Sequence, residues 1–487
     1  MMSSFQNLPL GQFEGQTDIG SIAQPGSCEY ALEEQTYTIS GAGANIWGEQ
    51  DDFHFVWKRM VGDFIVTMRA AFIGAGVNPH RKLGWMARSS LDGGSPHASA
   101  IVHGDGLVSL QFRRTQGGQT EEERAPQPAA DVIQLERRGN TYIMSGAKFG
   151  QPFTSVQVAD VDLGEAVYVG LCLCSHETDV IEQAVFSNVR IVVPVKEGFE
   201  RGRDPFGSHL ELLEVLSGHR KIIYSSEAIF EAPNWTRDGR ALIYNQDGRL
   251  VRFDLATGMS SPIDTGEVVR NNNDHVLSFD GSMLAISSHS QADYLSRVYT
   301  VPLQGGKPRL ITPRGPSYLH GWSPDGKFLV FAGQRRVSGT NKFDIFKISV
   351  SGGDEVKLTE APGVNDGPEY TPDGKYIYFN SSRTGRMQIW RMKPDGSDQE
   401  QVTHDDFNNW FAHISPDGSR FVFISFPADI PAGDHPYYKH CYLRLMPITG
   451  GTPKVIAYLY GGQGTMNVPS WSPDGKKIAF VSNNDIH

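Results

Sequence analysis

Trp322-Ser323-Pro324-Asp325-Gly326-Lys327-Phe328-Leu329-Val330-Phe331 reads as a tight turn running into a short apolar strand. The pattern of an aromatic or apolar residue followed by [ST]-x-D-G recurs at Trp235, Leu277, Tyr370, Ile414 and Trp471. Its aspartates fall at 238, 280, 325, 373, 417 and 474, so they lie 42, 45, 48, 44 and 57 residues apart. Asp-Gly is a strong hairpin signal because both residues tolerate positive φ. Each copy leads into a strand (ALIY, MLAIS, FLVFA, YIYFN, FVFIS, KIAFV). Third and fourth strand patterns with Gly-rich turns follow in most periods. Four short strands per period of this length is the signature of a propeller blade.

The sixth copy runs out after its second strand, whereas residues 209–225 offer a third and fourth strand with no first pair before them. The expectation is a six-bladed β-propeller over 209–487, its ring closed by a mixed blade of 209–225 with 466–485. Closure leaves no sheet edge open to pairing with another chain. The repeat W-S-P-D-G-K-x-[IL]-x-F resembles that of the TolB-like (PD40) propellers. That resemblance implies architecture, and it implies an exported, periplasmic or extracellular protein whose signal peptide has been removed. It does not imply one function, because propellers host binding and catalysis alike.

The chain has 487 residues, which exceeds one ordinary domain. Residues 1–195 read as an all-β sandwich, with strand patterns such as DFIVTMRAAF, LGWMARS and AVYVGLCLCS at short intervals. The Gly62-Asp63-Phe64 strand, Gly84-Trp85-Met86 with Arg88, and the closing Ala184–Ile191 strand resemble the concanavalin-like jelly-roll domains of carbohydrate-active proteins. Residues 196–208 read as a linker. His97, His103, Asp105, Gln111, Arg113, Trp47 and Trp57 are candidates for a concave face. The alternative reading makes the two tryptophans core and the others solvated strand positions. The formal charge of −11 argues against a nucleic-acid or anionic-membrane partner. No apolar run is long enough for a membrane span. The four cysteines form no metal or redox motif.

In a propeller the innermost strands line the central channel. The segments preceding each D-G turn carry the polar residues that a site needs. The candidate catalytic set is His275, His320, His413, Asp274, Asp366, Glu369 and Glu231. Candidate substrate contacts are Asn273, Tyr318, Trp410, Asn409, Asn467, His435, Arg444 and Arg297. His275 and His320 share a repeat position, so they are expected to project alike. With His413 they could hold one divalent ion (Ca, Mn or Zn), as imidazole commonly does. The insertion 427–441 (PADIPAGDHPYYKHC) reads as a lid. Sandwich plus propeller also resembles, distantly, the oligogalacturonate-lyase type of propeller, which implies a metal-assisted lyase on an oligo- or polysaccharide. Paired carboxylates would instead support glycoside hydrolysis. The competing expectation is a non-catalytic binding module of the TolB-like kind.

Overall fold

A computed structural model describes residues 10–337 and 340–486. Every regular element among them is a β-strand. The chain divides into two compact units, Met1–Pro194 and Val195–His487.

The first unit is sandwich-like, built on two seven-stranded sheets. One sheet is centred on Phe53–Val61, Ala166–Cys174, Lys82–Arg88 and His97–His103, the other on Val132–Arg138, Phe64–Ile73, Glu177–Val192 and Thr36–Gly43. Alternation decides which residues meet. Trp85, Ala87, Leu110, Phe112 and Leu171 from the first sheet share one core with Val66, Met68, Ile133, Leu135 and Phe186 from the second. The opposite face of the first sheet carries Phe53, Phe55, Met86, Ile101, Cys172 and Cys174.

The second unit is a six-bladed β-propeller. Five blades are four-stranded sheets, each in sequence order. The sixth is assembled from both ends of the unit: Gly207–Glu214 pairs with Arg220–Ser226 on one side and with Lys477–Asn484 on the other. Its inner strand is reduced to a bridge between Trp471 and Ile478.

The recurrent motif has one cause in all six copies. The Ser or Thr hydroxyl donates to the Asp carboxylate two residues on, at 2.6–2.7 Å. The same carboxylate accepts the N–H two residues further along, as in Lys327 to Asp325 at 3.1 Å. The glycine takes φ between 68° and 72°, a left-handed conformation that side chains resist. Burial plays little part at these turns. The hydroxyl and N–H bonds hold Asp280, Asp373 and Asp417 down to about 2.

Each of the five regular inner strands is bulged near its middle, where one residue, or two in blade two, drops out of register. Ala232, Gly367 and Phe411 sit at the same repeat position with positive φ. A bulge re-aims the side chains beyond it. This is why equal spacing in sequence does not give equal direction in the channel.

Candidate functional site

Inner strands Phe230–Trp235, Asn271–Leu277, Ser317–Trp322, Asn365–Tyr370 and Asn408–Ile414 line the channel. Near their N-terminal ends the structure gathers Glu231, Asp274, His320 and Asp366 with His435 and Tyr437 of the insertion. His320 Nε2 lies 3.2 Å from an Asp366 carboxylate oxygen, and its ring stacks on Phe411 at 5.6 Å. His435 stacks on Trp410, centroids 4.3 Å apart at 17°. The insertion therefore folds onto the channel wall, as a lid would.

The segment read as a linker lies within the second unit and supplies a residue that the sequence reading missed. Arg201 pairs with Glu231 at 2.7 Å and places its guanidinium 4.2 Å from the centre of the Tyr437 ring. Phe199 and Phe206 pack against Tyr438 beside it. Gly464 completes the cradle of Glu231: a Cβ there would fall 2.4 Å from its carboxylate. The Gly-rich run 461–464 thus allows close approach to a side chain of the site itself.

Electrostatics separate the two aspartates. Burial raises Asp274 to about 7. The charge of His320 opposes that rise, and those of Asp366 and Glu231 reinforce it. Burial would raise Asp366 too, but the His320 hydrogen bond and the charges of His320 and His435 hold it below the ordinary carboxylate value. Burial works against the His320 imidazolium. The Asp366 hydrogen bond and the fields of both aspartates outweigh it and lift His320 above its ordinary value. Tyr318, raised by burial and by Asp274 and Asp366, borders the same group. One carboxyl is thus set to hold a proton near neutrality while another nearby is held ionised.

Of the remaining candidates Asn467 touches this group, through a backbone bond to His320, and the others are elsewhere. His275 turns back towards blade one and bonds the Ile243 carbonyl at 3.1 Å; burial pushes it down to about 4. His413 lies beyond its bulge, held by Glu369 at 2.6 Å and the Met466 carbonyl at 3.2 Å. His275 and His320 therefore do not project alike, and the three histidines expected to share a metal are committed to different partners. Among the described residues no group of three or more His, Cys, Asp or Glu side chains is placed to hold a metal ion. Glu369 joins blades four and five by accepting from His413 and from the Ile414 N–H at 2.9 Å.

Asn409 is fully buried and bonds Thr403, Asp405 and Ser425, with Arg444 paired to Asp405 at 2.7 Å. Blade four repeats the arrangement with Asn365, Ser381, Arg383 and Asp344, which marks it as a device for holding blades. Arg297 is engaged by Asp293 through two nitrogens. Neither arginine reaches the channel cluster. Asn467 accepts the Gly464 N–H at 2.8 Å and Asn273 is buried in its strand.

In the first unit the candidates divide: Trp57 packs half-buried against the cluster of Phe53, Phe55 and Cys172, as the core reading has it, and the others follow neither reading. Arg113 is fully buried and bidentate on Asp51, at 2.7 and 2.8 Å, with further bonds to three carbonyls. His97 and His103 are buried, and Trp47 is 40% exposed. Gln111 donates towards Ser109 at 3.2 Å and sits 3.1 Å from His103 Nε2. Asp105 caps its own turn at the Leu107 N–H.

The PD40 family, described as the TolB beta propeller domain, matches residues 321–430. An uncharacterized protein of Agrobacterium fabrum is 45% identical over 276 residues, which are 56% of this chain and 92% of that protein. The chain belongs to the TolB-like propeller family. A solved structure from Agrobacterium tumefaciens, provisionally assigned as TolB, is similar at 43% identity with a TM-score of 0.54, over 57% of this chain and 98% of that one. Oligogalacturonate lyase in complex with manganese matches at 14% identity and a TM-score of 0.37, over 56% of this chain and 77% of that chain. At that distance it has no bearing on the chemistry of this TolB-like channel.

Proposed function

We propose that this TolB-like protein cleaves a glycosidic bond at the capped mouth of its channel, with Asp274 as the acid and Asp366 as the ionised base or nucleophile. What supports the reading is that Asp366 is paired with His320 at 3.2 Å, whereas Asp274 is buried nearby with no ion pair among the described residues. Such contrasting environments push two carboxyls towards opposite protonation states, as general acid and base roles require. Asp274 keeps its proton for the leaving oxygen. His320 holds Asp366 ionised and orients it. Tyr318, Tyr437 and the His435 ring, which is backed by the buried Trp410, give flat surfaces of the kind sugar rings pack on. The first unit would assist by binding glycan, and an exported location accords with the family resemblance.

The test is release of reducing ends from a panel of neutral and acidic oligosaccharides. Asp274→Asn and Asp366→Asn should each lower the rate by roughly 10²–10⁴-fold without loss of fold. Unsaturated products would indicate elimination and overturn hydrolysis. Glycan binding at this mouth without any cleavage would leave a binding module.

A further inference from the structure

The opposite mouth of the channel, where the inner strands end in their D-G turns, holds a second cavity of about 130 Å³. An engineered cavity of about 150 Å³ takes benzene, so this volume admits a single ring. Its wall is aromatic and apolar: Trp235, Trp322, Tyr370 and Trp471, with Phe279 and three prolines. These include the residues that open each [ST]-x-D-G motif, so the wall follows from the repeat. Two features do not follow from it.

The first is Arg237. Four of the six repeats carry proline at the x position, but blade one has arginine. Arg237 Nε donates to the Ser278 carbonyl at 3.2 Å, and the guanidinium lies 5.2 Å from the centre of the Phe279 ring. No acid among the described residues is paired with it. Burial in the mouth draws it below the ordinary guanidinium value, against the pull of Glu369 and Asp280. Glu369 also lines the cavity, but both its oxygens are engaged, by His413 and by the Ile414 N–H.

The second is Trp235. Trp322 and Trp471 donate their indole N–H to the preceding blade, to the Val276 and His413 carbonyls at 2.9 and 2.8 Å. The equivalent carbonyl for Trp235 is that of Ser470, and the indole makes no bond to it. Trp235 Nε1 is buried without a partner. Unmatched buried donors are rare and ask for an explanation. Asn234 is satisfied, through the Pro469 carbonyl and the Leu277 N–H.

The groups left over at this mouth are therefore donors, a guanidinium and an indole N–H, set in an aromatic wall. We propose that it binds a small hydrophobic monocarboxylate, its carboxylate on Arg237 and its ring or alkyl body against Trp322, Tyr370 and Trp471. A guanidinium suits a carboxylate because its forked N–H groups match the two oxygens. This site is independent of the aspartate pair at the other mouth.

Benzoate is the probe, titrated into the intact protein by calorimetry and by tryptophan fluorescence. Saturable binding is expected. It should be about tenfold or more weaker in Arg237→Gln, and benzyl alcohol should bind the native protein about tenfold more weakly than benzoate. Asp274→Asn should leave the benzoate affinity unchanged. No saturation below about 10 mM would overturn the proposal. So would equal affinity in Arg237→Gln, or loss of binding in Asp274→Asn. Matched thermal melts of the variants will separate lost binding from lost fold.

Discussion

Removing the Glu369 carboxylate should loosen the join between blades four and five. Its side chain and that of His413 are 11% and 4% exposed, and they meet at 2.6 Å. In Glu369→Ala, His413 Nδ1 and the Ile414 N–H both lose their acceptor in a site with little access for water. Breaking one partner of a buried pair costs roughly 3–5 kcal/mol, because the survivor stays buried and unpaired. At about 2–4 °C per kcal/mol for a large domain, the propeller should melt about 6–20 °C lower. The assay is calorimetry of Glu369→Ala, His413→Ala and the double variant. Since each single change strands the same interaction, the double variant should lose less than the sum, with coupling of roughly 1–3 kcal/mol. A melting point within about 2 °C of the native protein, or strict additivity, would refute the reasoning.

Asp274→Asn should stabilise the protein at pH 8 and not at pH 4, by up to roughly 4 kcal/mol. The folded pKa of about 7 lies above the ordinary 3.8, so the native state holds a proton that the unfolded chain releases as pH rises between those values, and stability drains away over that window. Gly326→Ala, at φ 69°, should cost about 1–2 kcal/mol in chemical denaturation, whereas Gly433→Ala, whose new Cβ would meet only Val364 at 3.7 Å, should stay within about 0.5 kcal/mol. In the first unit, Arg113→Met should cost roughly 3–5 kcal/mol, read by thermal melting, because it leaves the buried Asp51 with only Arg88, at 3.7 Å.

The propeller was legible because its decisive signal is local. Six copies of one hydroxyl-to-aspartate turn fix where each hairpin lies, and the surplus strands at 209–225 show how the ring closes. The site was legible only in part. Asp274, His320 and Asp366 were visible as polar residues on inner strands. Their grouping apart from His275 and His413 depends on bulges, and these are set by how neighbouring blades pack. Asn409 and Arg444 resembled ligand contacts because a buried blade-holding network uses the same residue types. Arg201 was hidden in a charged stretch that reads as linker, with no periodic pattern to place it. Arg237 did leave a signal, as a break in the proline column of the repeat. The buried Asp51–Arg113 pair was invisible because alternation gives the face of a strand but not what covers it.

The central claim is that two neighbouring carboxyls at the capped mouth are held in opposite protonation states. Carbon-detected NMR titration of the aspartate carboxyls, with Asp274→Asn and Asp366→Asn to assign them, measures this directly. The account predicts that Asp274 titrates near 7 and Asp366 below the ordinary carboxylate value. Both groups titrating together near the ordinary 3.8 would contradict it.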